Sequence, residues 1–220
     1  MAGIGMDRHV AELRTRSNRG GAIDAQRERA AATRAALIDA ARILFAEAGY
    51  HATGTPEIVA RAAVTRGALY HHFADKAGLF AEVFRLVAGE LVELSNSSVS
   101  ASGDLWSKIS DAFRFYLHLV ASDRHYARIV LIDGPAVLGW VRWRTLQSEF
   151  VATGIADALQ LLMDQGMVAP QPVRPLANLI QAALNDAALA IANSASPDDT
   201  NREVSRAFQS LLSGLRTGPG

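Results

Sequence analysis

Residues 55–76 read TPEIVARAAVTRGALYHHFADK, and this stretch decides the fold. Thr55, Pro56 and Glu57 open a short helix: a threonine placed to cap, a proline where its missing N–H costs little, and an acid in the positive first turn. That helix runs to about Ala63. Val64 and Thr65 form a turn, and Thr65 caps a second helix anchored by Leu69 and Phe73, four residues apart. Arg66, Gly67, Ala68, Tyr70, His71 and His72 are left facing outward or sideways. Gly67 and Ala68 are small, so the start of this helix can approach a surface closely, as a helix entering a DNA major groove must. Tyrosine and histidine donate hydrogen bonds to phosphates without needing a full charge, and Lys76 adds a cation at the start of the next helix.

Upstream, Leu37, Ala41, Leu44, Phe45 and Ala48 follow the spacing of an amphipathic helix from Thr33, with Gly49 as its stop. Residues 1–32 show little apolar periodicity and carry Arg8, Arg14, Arg16, Arg19, Arg27 and Arg29 around Gly20-Gly21. A flexible arm is expected there, whose arginines either follow a phosphate backbone or minor groove, or are simply solvated. Downstream, a long helix opens at Lys76 with Phe80, Val83, Phe84, Val87, Leu91 and Leu94 on one stripe. A serine-rich break follows, then a helix from Asp104 burying Leu105, Ile109, Ala112, Phe113, Tyr116, Leu117 and Val120. Residues 124–133 form a short helix that Gly134-Pro135 ends or kinks, and one long helix is expected over Val137–Gln165. The helix from Leu176 to about Asn193 is apolar almost all round. The last, after Ser196-Pro197, carries Val204, Phe208, Leu211 and Leu215 on a single stripe. No segment alternates as a strand would, so the fold class is all-α.

Composition bounds what such a chain does. Half of its 220 residues are hydrophobic, so a sizeable core is available, and no apolar run reaches the roughly 18 residues of a membrane span. The absence of cysteine excludes disulfides, zinc fingers and thiol chemistry, and the expected compartment is the cytoplasm. Net charge is zero, yet residues 1–80 hold 11 Lys+Arg against 8 Asp+Glu while the remainder holds 11 against 14. The basic excess lies where the helix-turn-helix lies.

At this point the chain resembles a known family. Thr33 to Phe80 is similar to the DNA-binding domain of the tetracycline-repressor (TetR) family: F-x-x-x-G-Y closing the first helix, then T-x-x-x-I, a recognition helix ending L-Y-H-H-F, and K-x-x-L. Beyond the arm read over 1–32, the resemblance implies a three-helix DNA-binding head (33–80) and a helical-bundle body (81–220) that dimerises and holds a small effector. It implies Thr55 on a phosphate, Thr65, Arg66, Gly67 and Ala68 at or near base edges, Tyr70, His71 and His72 beside the backbone, and Lys76 on a phosphate. Arg66 is the candidate base reader, since a guanidinium bonds guanine O6 and N7 together. The family usually has glycine where this chain has Ala63, and a left-handed backbone there costs about 1 kcal/mol.

The body is read from its residues. Phe84, Trp106, Phe113, Tyr116, Tyr126, Trp140 and Trp143 lie on helices that should converge, and aromatic walls describe either a ligand pocket or an ordinary core. Asp133, Gln181 and Asn185 are the candidate polar groups, with Asn178, Gln181 and Asn185 facing the pocket, a dimer seam or water. The dimer interface is expected at Ile180, Ala183, Leu184, Ala187 and Ile191, and at Val204, Phe208, Leu211 and Leu215. His118, Asp123, His125 and Asp133 have no metal-site spacing, and no phosphate loop, nucleophile elbow or dinucleotide fingerprint is present. No cofactor or metal is expected and no enzyme activity. The expected function is a repressor that binds a palindromic double-stranded operator as a homodimer and is released by a partly apolar small molecule. An activator or a ligand-independent regulator shares all these features, and a helical enzyme or an architectural DNA binder is the remoter alternative.

Overall fold

The computed structural model describes the backbone over residues 4–97 and 103–217, and side chains from residue 24 onward within those ranges. Among the described residues the chain is helical, and its one extended pairing is an isolated bridge between Val168 and Arg216. No described helix is long and apolar enough to cross a membrane.

Helix α1 spans Ile4–Ala48, so the segment expected to be a flexible arm is the first part of a helix that continues into the head. Residues 25–32, AQRERAAA, are all strong helix formers and offer no stop signal. The side chains of Arg8, Arg14, Arg16 and Arg19 lie outside the described residues. Helix α2 spans Thr55–Arg61. Its cap is Gly54 rather than Thr55, and the Glu57 carboxylate accepts the Gly54 N–H at 3.0 Å.

At the turn, Val64 N–H reaches the Val59 carbonyl (3.0 Å) and Ala63 N–H the Ala60 carbonyl (3.2 Å), while Ala63 adopts φ 53°. This closure places an alanine where glycine is usual. Ala63→Gly is therefore expected to raise the unfolding free energy by roughly 1 kcal/mol in denaturant titration, and a drop instead would show that the turn is not strained. Helix α3, Arg66–His72, follows with Thr65 Oγ1 accepting the Ala68 N–H at 3.2 Å. Leu69 and Phe73 are buried with Leu37, Phe45 and Ile58 in the head's core.

Helix α4 (Lys76–Ser97) is common to head and body: Leu79, Phe80, Val83 and Phe84 are fully buried near its start, and Arg34–Glu82 and Arg42–Glu90 ion pairs lash it to α1. Helix α5 spans Leu105–Ser122 and α6 Arg124–Ala127. The chain then widens into a π-helical segment, Arg128–Asp133, and passes through Gly134-Pro135 into α7 (Gly134–Leu138). The expected single helix over 137–165 is divided. Gly139, at φ 74°, breaks it, α8 spans Trp140–Gln147, a second π-helical segment spans Ser148–Ala152, and α9 spans Thr153–Asp164. Helix α10 (Val173–Ala192) packs against α5, α9 and α11 (Pro197–Ser213).

Candidate nucleic-acid interface and effector cavity

The exposed face of the head gathers Thr55, Arg66 and Tyr70. The Arg66 guanidinium lies 5.6 Å from the Tyr70 ring centroid. Hydrogen bonding from Arg66, and then from Thr55, draws the Tyr70 phenol below its usual range. These three residues come from the first turns of α2 and α3 and from one turn further along α3, so the two helices present one polar surface. Thr65, Gly67 and His71 are exposed beside it, Ala68 and His72 are half-buried, and the His71 and His72 rings sit 5.2 Å apart. Gly67 has only the Thr65 hydroxyl within 4 Å of where a Cβ would stand, which leaves its outer side open to a partner.

Lys76, expected at a phosphate, is engaged within the head. Its Nζ donates to the Tyr50 and Thr53 carbonyls, both at 2.9 Å, and lies 4.0 Å from the Tyr50 ring centroid. The reason is local: the loop after α1 turns two carbonyls toward the start of α4, and a lysine there satisfies both. Tyr50 in turn packs on Phe45 and Phe80.

The same loop is held from the body. Asp133 Oδ2 accepts the Tyr50 N–H at 2.9 Å, and the Arg128 guanidinium donates to the Glu47 and Ala46 carbonyls at 2.8 and 3.3 Å. A cation thus caps the C-terminus of α1, where free carbonyls carry partial negative charge. Asp133, read as a polar group for a pocket, serves this junction and does not line the cavity below. His118 lies beside Ser122 and His125 beside Asp123, and among the described residues no three His, Cys, Asp or Glu side chains converge as metal ligands would.

A cavity of about 260 Å³ opens in the body between α4, α5, the second π-helical segment and α9. Ile109, Phe113, Phe150, Val151 and Ile155 make it apolar, and Asn96, Lys108 and Tyr116 are among its polar lining. Burial pushes the Tyr116 phenol up to about 12, so it remains a neutral donor. Of the aromatic and polar candidates read from the sequence, Phe113 and Tyr116 line this cavity. The others do not, each for a visible reason. Phe84 is sealed in the core at the foot of α4. Trp106 borders a smaller neighbouring void and stacks under Arg216. Tyr126 faces a groove against α1. Trp143 is buried, donating from Nε1 to the Val130 carbonyl at 2.8 Å, while Trp140 is 65% exposed. Gln181 and Asn185 both donate to Gln147 Oε1, at 3.2 and 2.8 Å, in a buried amide cluster. Lys108 went unread, although Lys108, Ala112 and Tyr116 fall four apart on one stripe of α5.

The expected dimer residues divide similarly. Ile180, Leu184, Ala187 and Ile191 are buried within the protomer, because α5, α9 and α11 together cover most of α10, and Phe208 is buried against Phe113. Ala183, Val204 and Leu215 are half-buried, while Leu211 is 53% exposed. The outward stripe of α10 is instead Leu179, Ala182, Asp186 and Ala190, with Leu179 68% exposed.

Comparison with known proteins completes the description. Residues 37–83 match the model of bacterial regulatory proteins of the tetR family, and residues 106–215 match that of the tetracyclin repressor-like C-terminal domain. A crystal structure of a TetR-family transcriptional regulator from Pectobacterium atrosepticum is 34% identical, with a TM-score of 0.76 over 88% of this chain and 99% of that one. The transposon Tn10 TetC protein of Escherichia coli is 27% identical over 158 residues, 70% of this chain and 78% of that protein. The transcriptional activator FasR of Mycolicibacterium smegmatis is 26% identical over 84% of each chain.

Proposed function

This chain belongs to the TetR family of DNA-binding transcriptional regulators, and from that premise we propose that it is a ligand-released repressor acting as a homodimer. The observation that carries the reading is the span of α4, whose first turns pack on α1, the helix that in turn packs on the recognition helix, and whose last turns, at Val92 and Asn96, border the apolar cavity. A molecule that fits the cavity better in one body conformation shifts the population toward it, and α4 carries the change to the head. The Arg128 and Asp133 grip on the loop after α1 gives the body a second hold on the same head. No step of turnover enters this account.

Two copies present two α3 helices, and half-sites about 34 Å apart, or a multiple of that, match them. The outward stripe of α10, apolar apart from Asp186, together with Leu211, is the surface for the second copy. Arg66 reads a base, Thr55, Thr65, Tyr70, His71 and His72 position the duplex, and Gly67 and Ala68 admit it. Selection of bound genomic fragments with the purified protein, followed by footprinting, tests the reading. It predicts a palindromic protected site, and protection without sequence preference counts against it. Arg66→Ala is expected to lose about 1–3 kcal/mol of discrimination at one base position while non-specific binding persists. Equal weakening on every sequence would move Arg66 to the phosphates. A reporter fused to the selected operator distinguishes repression from activation.

A further inference from the structure

Lys108 is the one charged side chain lining the cavity among the described residues, and it makes no hydrogen bond or ion pair with any of them. Of the acids flanking it in sequence, Asp104, the cap of α5, accepts the Ser107 N–H, and Asp111 pairs with Arg114; neither forms an ion pair with Lys108. Lys108 is half-buried, so its cation stands at the edge of an apolar space, and no carboxylate among the described residues pairs with it. Two turns further along the same stripe, roughly 12 Å away along the helix axis, Tyr116 is 8% exposed and lines the cavity. Its hydroxyl has no hydrogen-bond partner among the described residues, and no buried polar side-chain atom is sealed without one. That hydroxyl therefore meets open space. Between the two polar positions the wall is Ile109, Ala112, Phe113 and Ile155.

We propose that the cavity takes a small amphipathic carboxylate, with its acid at Lys108, its apolar body between α5 and α9, and an oxygen at its far end accepting from Tyr116. This deepens the effector reading above and rests on it for the claim that occupancy reaches the head. A neutral apolar molecule leaves the Lys108 cation and the Tyr116 hydroxyl uncompensated, and a cation meets Lys108 as a like charge. At about 260 Å³ the cavity lies just under the usual range of roughly 300–1,000 Å³ for ligand sites, which favours a short chain or a single ring.

The test is calorimetric titration of the full chain, as wild type, Lys108→Gln and Tyr116→Phe, with octanoate, omega-hydroxyoctanoate, octanamide and hydroxyphenylpropionate. In the wild type, a carboxylate of the aliphatic or the aromatic series is expected to bind about tenfold or more tightly than octanamide, as for a charge-assisted hydrogen bond. Lys108→Gln is expected to erase that preference, and Tyr116→Phe to erase the gain from the omega-hydroxyl. Octanamide binding as tightly as the tightest carboxylate, a preference that survives Lys108→Gln, or no binding by any of the carboxylates overturns the proposal. Operator affinity measured by fluorescence anisotropy with the tightest of them separates the two claims. A carboxylate that binds through Lys108 yet leaves operator affinity unchanged refutes release by ligand while the ligand class stands.

Discussion

Trp143→Ala is expected to lower the free energy of unfolding by about 3–5 kcal/mol, the cost of emptying a large aromatic from a closed core. Trp143 is buried against Gly134, where an added Cβ would stand 2.9 Å from its ring, and its Nε1 donates to the Val130 carbonyl. That carbonyl belongs to the π-helical segment, and the indole supplies it with a donor. Trp143→Phe keeps much of the volume and removes the donor, so its cost should be smaller, about 1–3 kcal/mol for a carbonyl left unpaired. Denaturant titration of both variants checks the order. A loss under about 1 kcal/mol for Trp143→Ala would mean that the indole is not part of the core.

Lys76→Met is expected to reduce operator affinity on every sequence, since the Lys76 ammonium is engaged within the head. Removing the ammonium leaves the Tyr50 and Thr53 carbonyls without their donor and ends the contact with the Tyr50 ring. Two charge-assisted hydrogen bonds at a half-buried site correspond to about 2–3 kcal/mol of stability. The loop they hold sets the angle between α1 and α2, and hence the surface formed by Thr55, Arg66 and Tyr70. Salt dependence separates the two roles open to this lysine. A lysine on a phosphate contributes about one to the slope of affinity against salt, so its loss would flatten that slope. A lysine that braces a loop leaves the slope as it was while the unfolding free energy falls. A flattened slope with unchanged stability would return Lys76 to the DNA.

The head was legible in the sequence because its signals are short-range and of different kinds. The Thr65 cap, the anchors Leu69 and Phe73 four residues apart, and the left-handed turn at Ala63 each constrain a few neighbouring residues, and each has its counterpart in the fold. The direction of Lys76 was not legible. A cation at a helix start satisfies a phosphate or a nearby carbonyl equally well, and its choice depends on where the α1–α2 loop passes. In the body, the breaks at Gly139 and the π-helical segments stayed hidden because one extra residue shifts an apolar stripe without erasing it. Helix α10 was ambiguous for another reason. An all-round apolar helix fits a subunit seam and fits a protomer core, and three neighbours of its own chain take Ile180, Leu184, Ala187 and Ile191. Gln181 and Asn185 were read as candidates for a ligand; their actual partner, Gln147, lies more than thirty residues away and carries no local signature.

The π-helical segment Arg128–Asp133 also bears on how the chain tolerates changes of length. Such a turn is an α-helix holding one residue too many. Losing one residue there would restore regular bonding within the segment, yet each α-helical residue turns the chain by about 100°. Everything beyond the deletion would rotate by that amount. Asp133 would leave the Tyr50 N–H, and Trp143 would leave the Val130 carbonyl. The surplus residue is thus a register mark: one residue removed between Arg128 and Trp143 is expected to undo both contacts, while one removed from the loop at 169–172 leaves them in place.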